Sequence, residues 1–88
     1  MNKLQIWLMK RYCPDFEKDM PEDESGYWEA KVIVGEGYWK NRYKTVALKI
    51  VEGRLDAYLT ARWLALKTQW KRPGFIYSCD IYYGVKKL

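Results

Sequence analysis

Hydrophobic positions along this chain change their period from segment to segment, and the change predicts its elements. From Arg54 to Trp70, RLDAYLTARWLALKTQW, the residues Leu55, Leu59, Trp63, Leu66 and Trp70 recur at helical spacing with Tyr58 at the stripe's edge, as an amphipathic helix requires. On its other side Ala57, Ala61, Leu64 and Thr68 form a weaker stripe of small and apolar residues. That stripe has no place in the predicted core, so it is read as the contact for a second copy or a docked partner. Elsewhere the period is two. Lys3–Tyr12 alternates Leu4, Ile6 and Leu8 against Lys3, Gln5, Trp7, Met9 and Arg11, which predicts a half-buried strand. Tyr27–Gly35 alternates Trp28, Ala30, Val32 and Val34 against Tyr27, Glu29, Lys31 and Ile33. Tyr43–Val51 is β-branched enough to be a third strand, with Val46, Leu48 and Ile50 inward and Tyr43, Thr45, Ala47 and Lys49 outward. Phe75–Val85 is the last, with Ile81 and Tyr83 on one side and Asp80, Tyr82 and Lys86 on the other.

The connections follow from turn chemistry. Cys13–Gly26 holds two prolines and an acid run and reads as a long exposed loop, with Phe16 and Met20 available to pin it to the body. Gly35–Arg42, GEGYWKNR, is a hairpin loop, and Arg72-Pro73-Gly74-Phe75 ends the helix in a type II turn. The expected fold is a small α+β domain spanning residues 1–88 in the order βββαβ. One helix covers one face of a three- to four-stranded, mainly antiparallel sheet. That connectivity gathers the Gly35–Arg42 loop and the Lys71–Gly74 turn at one pole and sends the acidic loop to the other.

Charge sharpens this polarity. The chain carries a net +5, yet Asp15, Glu17, Asp19, Glu22, Asp23 and Glu24 face Lys18 alone between Cys13 and Gly26. The remainder is strongly basic and suited to polyanions. Histidine is absent and the two cysteines, Cys13 and Cys79, are isolated, so no zinc-ligand spacing exists and no cofactor is expected. The low cysteine count points to a reducing, cytoplasmic compartment. Lys3, Gln5, Lys10 and Arg11 interrupt the amino-terminal apolar stretch well short of a signal sequence or membrane span, so no membrane partner is expected.

Three surfaces carry candidate chemistry. The uncovered sheet face is expected to present Lys3, Trp7, Arg11, Tyr27, Lys31, Tyr43, Lys49, Tyr82 and Lys86, rings interleaved with cations, as single-stranded nucleic acid needs. The same composition also serves as ordinary strand material kept soluble by lysine, or as an interface between copies. The basic pole offers Tyr38, Trp39, Lys40, Arg42, Lys71 and Arg72 for stacking or anchoring, unless Trp39 folds back toward Trp70. The acidic loop lacks calcium-loop spacing and reads as a solvated connection, or as a screen against wrong partners. Arg62, at the edge of the helix stripe, is expected to reach outward or pair with Asp80.

Enzyme motifs are missing. Neither a nucleophile elbow nor a phosphate-binding glycine loop occurs, and no histidine is available as a base. Glu29-Ala30-Lys31 matches the E-x-K fragment of metal-dependent nucleases, a three-residue signal that alternating strand charges also produce by chance. The sequence therefore reads as a non-enzymatic nucleic-acid-binding protein, with RNA favoured over duplex DNA because rings rather than a basic recognition helix are on offer. The alternative is a small inhibitor or regulator that binds a host protein of a nucleic-acid-processing or defence machine. The strand, helix, strand order of the second half is similar in architecture to some phage proteins of that kind, without a shared motif.

Overall fold

A computed structural model describes residues 2–36, 42–71 and 80–88. In chain order they form helix α1 (Lys3–Tyr12), a 3-10 turn (Pro14–Glu17), strands β1 (Tyr27–Glu36) and β2 (Arg42–Glu52), helix α2 (Arg54–Lys71) and strand β3 (Asp80–Lys87). The strands lie in the order β2-β1-β3, and both pairings are antiparallel. The α+β class and the antiparallel sheet agree with the sequence. The final strand pairs with β1.

The first element is a helix, which corrects the strand expected over Lys3–Tyr12. Asn2 caps it: the Asn2 side chain accepts from the Gln5 backbone N–H at 2.8 Å, while the Gln5 side chain accepts from the Asn2 N–H at 3.2 Å. This reciprocal box satisfies two amides that a helix start leaves open. Ile6, Met9 and Cys13 then fall on one face and pack with Phe16, Leu66, Leu59 and Trp63. Leu4, which the alternation placed inward, is largely exposed.

That packing changes the meaning of α2. Its large stripe, Leu59, Trp63 and Leu66, packs with α1 and the 3-10 turn. Ala57 and Ala61, expected to face a partner, are fully buried. They lie on the helix side that contacts all three strands, opposite buried Ala30, Val32 and Val34. Small residues let helix and sheet approach closely. Leu64 and Thr68 flank them, half-buried beside Val46 and Ala47 of β2. The helix is apolar on both sides because it is the middle layer of three. Its second partner is α1 of the same chain.

The acidic segment is fastened to this body. Phe16 is buried to 1% exposure, while Met20 is 39% exposed. The turn from β2 into α2 uses Gly53 at φ +91°, and Gly53 N–H donates to the Gly26 carbonyl at 2.8 Å. Gly53 brings no capping side chain of its own. Asp23 supplies one instead, accepting from Leu55 N–H at 3.2 Å, where a carboxylate also faces the positive end of the helix dipole.

Candidate nucleic-acid interface

Alternation along β1 sends Trp28, Ala30, Val32 and Val34 toward α2 and leaves Tyr27, Glu29, Lys31 and Ile33 on the bare face. Cross-strand partners share a face, so the register extends this surface to both neighbours. On β3, Lys86, Gly84 and Tyr82 lie opposite Glu29, Lys31 and Ile33. On β2, Ile50 and Leu48 lie opposite Glu29 and Lys31, which corrects their expected inward orientation.

A β-bulge is the reason. Val32 pairs with Ala47 but Ile33 pairs with Thr45, so Val46 is the extra residue and the parity of β2 changes there. Tyr43 and Thr45 stay on the bare face as expected, whereas Ala47 and Lys49 turn to the helical side and Leu48 and Ile50 come out at 55% and 57% exposure. The bulge also brings two rings together. Tyr43 pairs with Gly35, Tyr82 with Ile33, and the ring centroids stand 6.2 Å apart at 56° across the middle strand. Gly35 puts no side chain between them.

Among the described side chains, the charges on this face are Lys31 and Lys86 against Glu29 and Glu52. Much of the acidic segment is engaged elsewhere. Glu24 pairs with Lys87 at 2.9 Å, Asp23 caps α2, and Asp15 pairs with Arg62 at 2.9 Å. Arg62 is buried beneath Asp15 and donates to the Tyr83 hydroxyl, with its guanidinium carbon 4.7 Å from that ring's centre. Among the described side chains its partners are Asp15 and Tyr83, and the side chain of Asp80, its expected partner, lies outside them. Burial works against its charge, but Tyr83, Tyr58 and Asp15 outweigh that cost and hold the guanidinium more firmly protonated than usual. Nearby, burial pushes the Cys13 thiol and the Tyr58 hydroxyl above their ordinary ranges, and Tyr58 donates to the Phe16 carbonyl at 2.8 Å. This cluster ties the 3-10 turn to α2 and β3.

Of the residues singled out from the sequence, Tyr27, Lys31, Tyr43, Tyr82 and Lys86 share the bare face, while Lys3 and Arg11 lie on α1 because that segment is a helix. Trp7 is exposed on α1 and Lys49 lies beside Val51, Trp63 and Lys67, both on the helical side. Lys71 ends α2 near Val46 and Thr68. Tyr38, Trp39, Lys40 and Arg72 lie outside the described residues, and Arg42 is described only as the first position of β2. Leu48, Ile50 and Gly84 were missed as members of the surface. A glycine inside a strand pattern was the available signal for Gly84.

Among the described residues no cluster of side chains has metal-binding composition, and no helix is long and apolar enough to cross a membrane. Fold and surface define an α+β domain whose sheet is covered on one face and bare on the other. Comparison of the chain with protein-family models, curated proteins and solved structures gave no match.

Proposed function

We propose that the chain is a non-enzymatic, cytoplasmic binder of single-stranded nucleic acid, RNA ahead of duplex DNA, and that it binds through the bare sheet face. The observation that carries this reading is the Tyr43–Tyr82 pair, 60% and 46% exposed, with rings in contact and Lys31 one strand away. Unpaired bases stack on such rings at roughly 1–3 kcal/mol each, and the lysines neutralise phosphates. Duplex DNA hides its base faces, and a flat sheet of rings has nothing to read in its grooves. A labelled single strand should bind with an affinity that falls as salt rises. With Lys31 and Lys86 as the phosphate contacts, the log–log slope should be on the order of −1.4.

One observation favours a second reading. Leu48 and Ile50 are exposed aliphatic side chains beside the rings, and aliphatic groups favour a protein partner or a second copy of the chain. An inhibitor or regulator of a nucleic-acid machine would use them. Recovery of a protein from nuclease-treated lysate, lost on Ile50→Glu, would support that reading over the first.

A further inference from the structure

Gly84 occupies the interior of β3 opposite Lys31, at the edge of the described sheet. Glycine weakens a strand interior, because it loses more backbone freedom on folding and contributes no side chain to pack. Among the described residues the fold gives no reason to accept that loss. A Cβ built on Gly84 meets no atom within 4 Å, and positive φ occurs at Gly26 and Gly53 but not at Gly84. What the missing side chain leaves is a groove of about 290 Å³ along β3, lined on the bare face by Glu29, Lys31, Ile33, Tyr82 and Lys86 and bounded by Tyr83 and Val85. A glycine inside a strand often marks a bulge, a bend or a close approach of a ligand to the backbone, and the register of β3 with β1 runs through Gly84 without a bulge.

We infer that this groove seats one nucleobase of the bound strand, an inference that rests on the nucleic-acid reading of this face. The base lies flat over the Gly84 backbone, with the Ile33–Tyr82 pair on one side and the Glu29–Lys86 pair on the other. Lys31 and Lys86, on either side of the groove, reach the flanking phosphates. Glu29 accepts a hydrogen bond from the base edge, where every base presents at least one N–H donor, so the seat tolerates different sequences. A base with its flanking phosphates uses both the apolar floor of the groove and the exposed lysines beside it, whereas an aliphatic protein side chain would use the floor alone, which favours a base as the occupant.

The test is Gly84→Val in the full chain, with binding of fluorescein-labelled oligouridylate and oligoadenylate read by anisotropy at low salt. Valine suits a strand and fills open space, so the unfolding midpoint should hold or rise while affinity falls about tenfold or more. A folded Gly84→Val protein that binds like wild type overturns the groove and leaves the reading of the face standing. Absence of binding by the wild type overturns both. Photocrosslinking of a 4-thiouridine strand to the wild type gives an independent readout. Crosslinks in the peptide that carries Tyr82 to Lys86 are expected, and crosslinks confined to other peptides overturn the assignment.

Discussion

Arg62 and Asp15 are 47 positions apart in sequence, yet a hydrogen bond of 2.9 Å joins them and closes the acidic segment onto α2. The two ends of the bond are unequal: the Arg62 side chain is 8% exposed and that of Asp15 is 64% exposed. Solvent screens the carboxylate, so Asp15→Asn should cost less than about 1 kcal/mol. Arg62→Ala removes a buried side chain together with its bonds to Asp15 and Tyr83, and should cost about 2–3 kcal/mol. Urea denaturation of both variants checks the asymmetry.

Ala61 is the second probe, because its burial against the sheet replaces the intermolecular contact its stripe had suggested. Ala61→Leu should overpack that layer and lower stability by about 1–3 kcal/mol. Had the stripe faced solvent or a second copy, the monomer would tolerate leucine. The shift in urea midpoint separates the two arrangements.

Asp23 caps a helix from a distant loop rather than from the preceding residue. Asp23→Ala should therefore cost about 1 kcal/mol even though it lies outside every helix and strand. Hydrogen exchange should speed up first at Leu55 and its neighbours in the opening turn of α2.

Alkaline pH should weaken the fold through Cys13 and Tyr58. Both are neutral when protonated, and burial raises each above its ordinary value, 9.0 for the thiol and 10.0 for the phenol. The folded state therefore holds these protons more tightly than the unfolded chain does. Their contribution is fully present below about pH 9 and is lost as pH climbs through the raised values. Urea midpoints should fall more steeply with rising pH in the wild type than in Cys13→Ala. Parallel curves would assign the loss to other groups.

The parts of the fold that were legible in the sequence were those governed by local period. Trp28, Ala30, Val32 and Val34 fixed the buried face of β1, and the stripes of α2 fixed its length. Two misreadings came from non-local or capping terms. Leu4, Ile6 and Leu8 alternate like a strand, but Asn2 and Gln5 spell a helix start, and the contact of Met9 with Phe16 and Leu66 decides the matter. The β2 register failed at Val46, because a bulge leaves no mark in a run of β-branched and apolar residues. The candidate surface inherited that error. Lys49 was assigned to it and Leu48 and Ile50 were not, while Tyr43, beyond the bulge, was placed correctly.

The bare face is tested most directly by comparing Tyr43→Ala and Tyr82→Ala with Trp7→Ala, an equally exposed ring on the helical side. Affinity for a labelled single strand should fall about tenfold or more for each tyrosine variant, with the fold retained, and should be unchanged for Trp7→Ala. Wild-type affinity in the tyrosine variants, or a loss confined to Trp7→Ala, would contradict binding through this face.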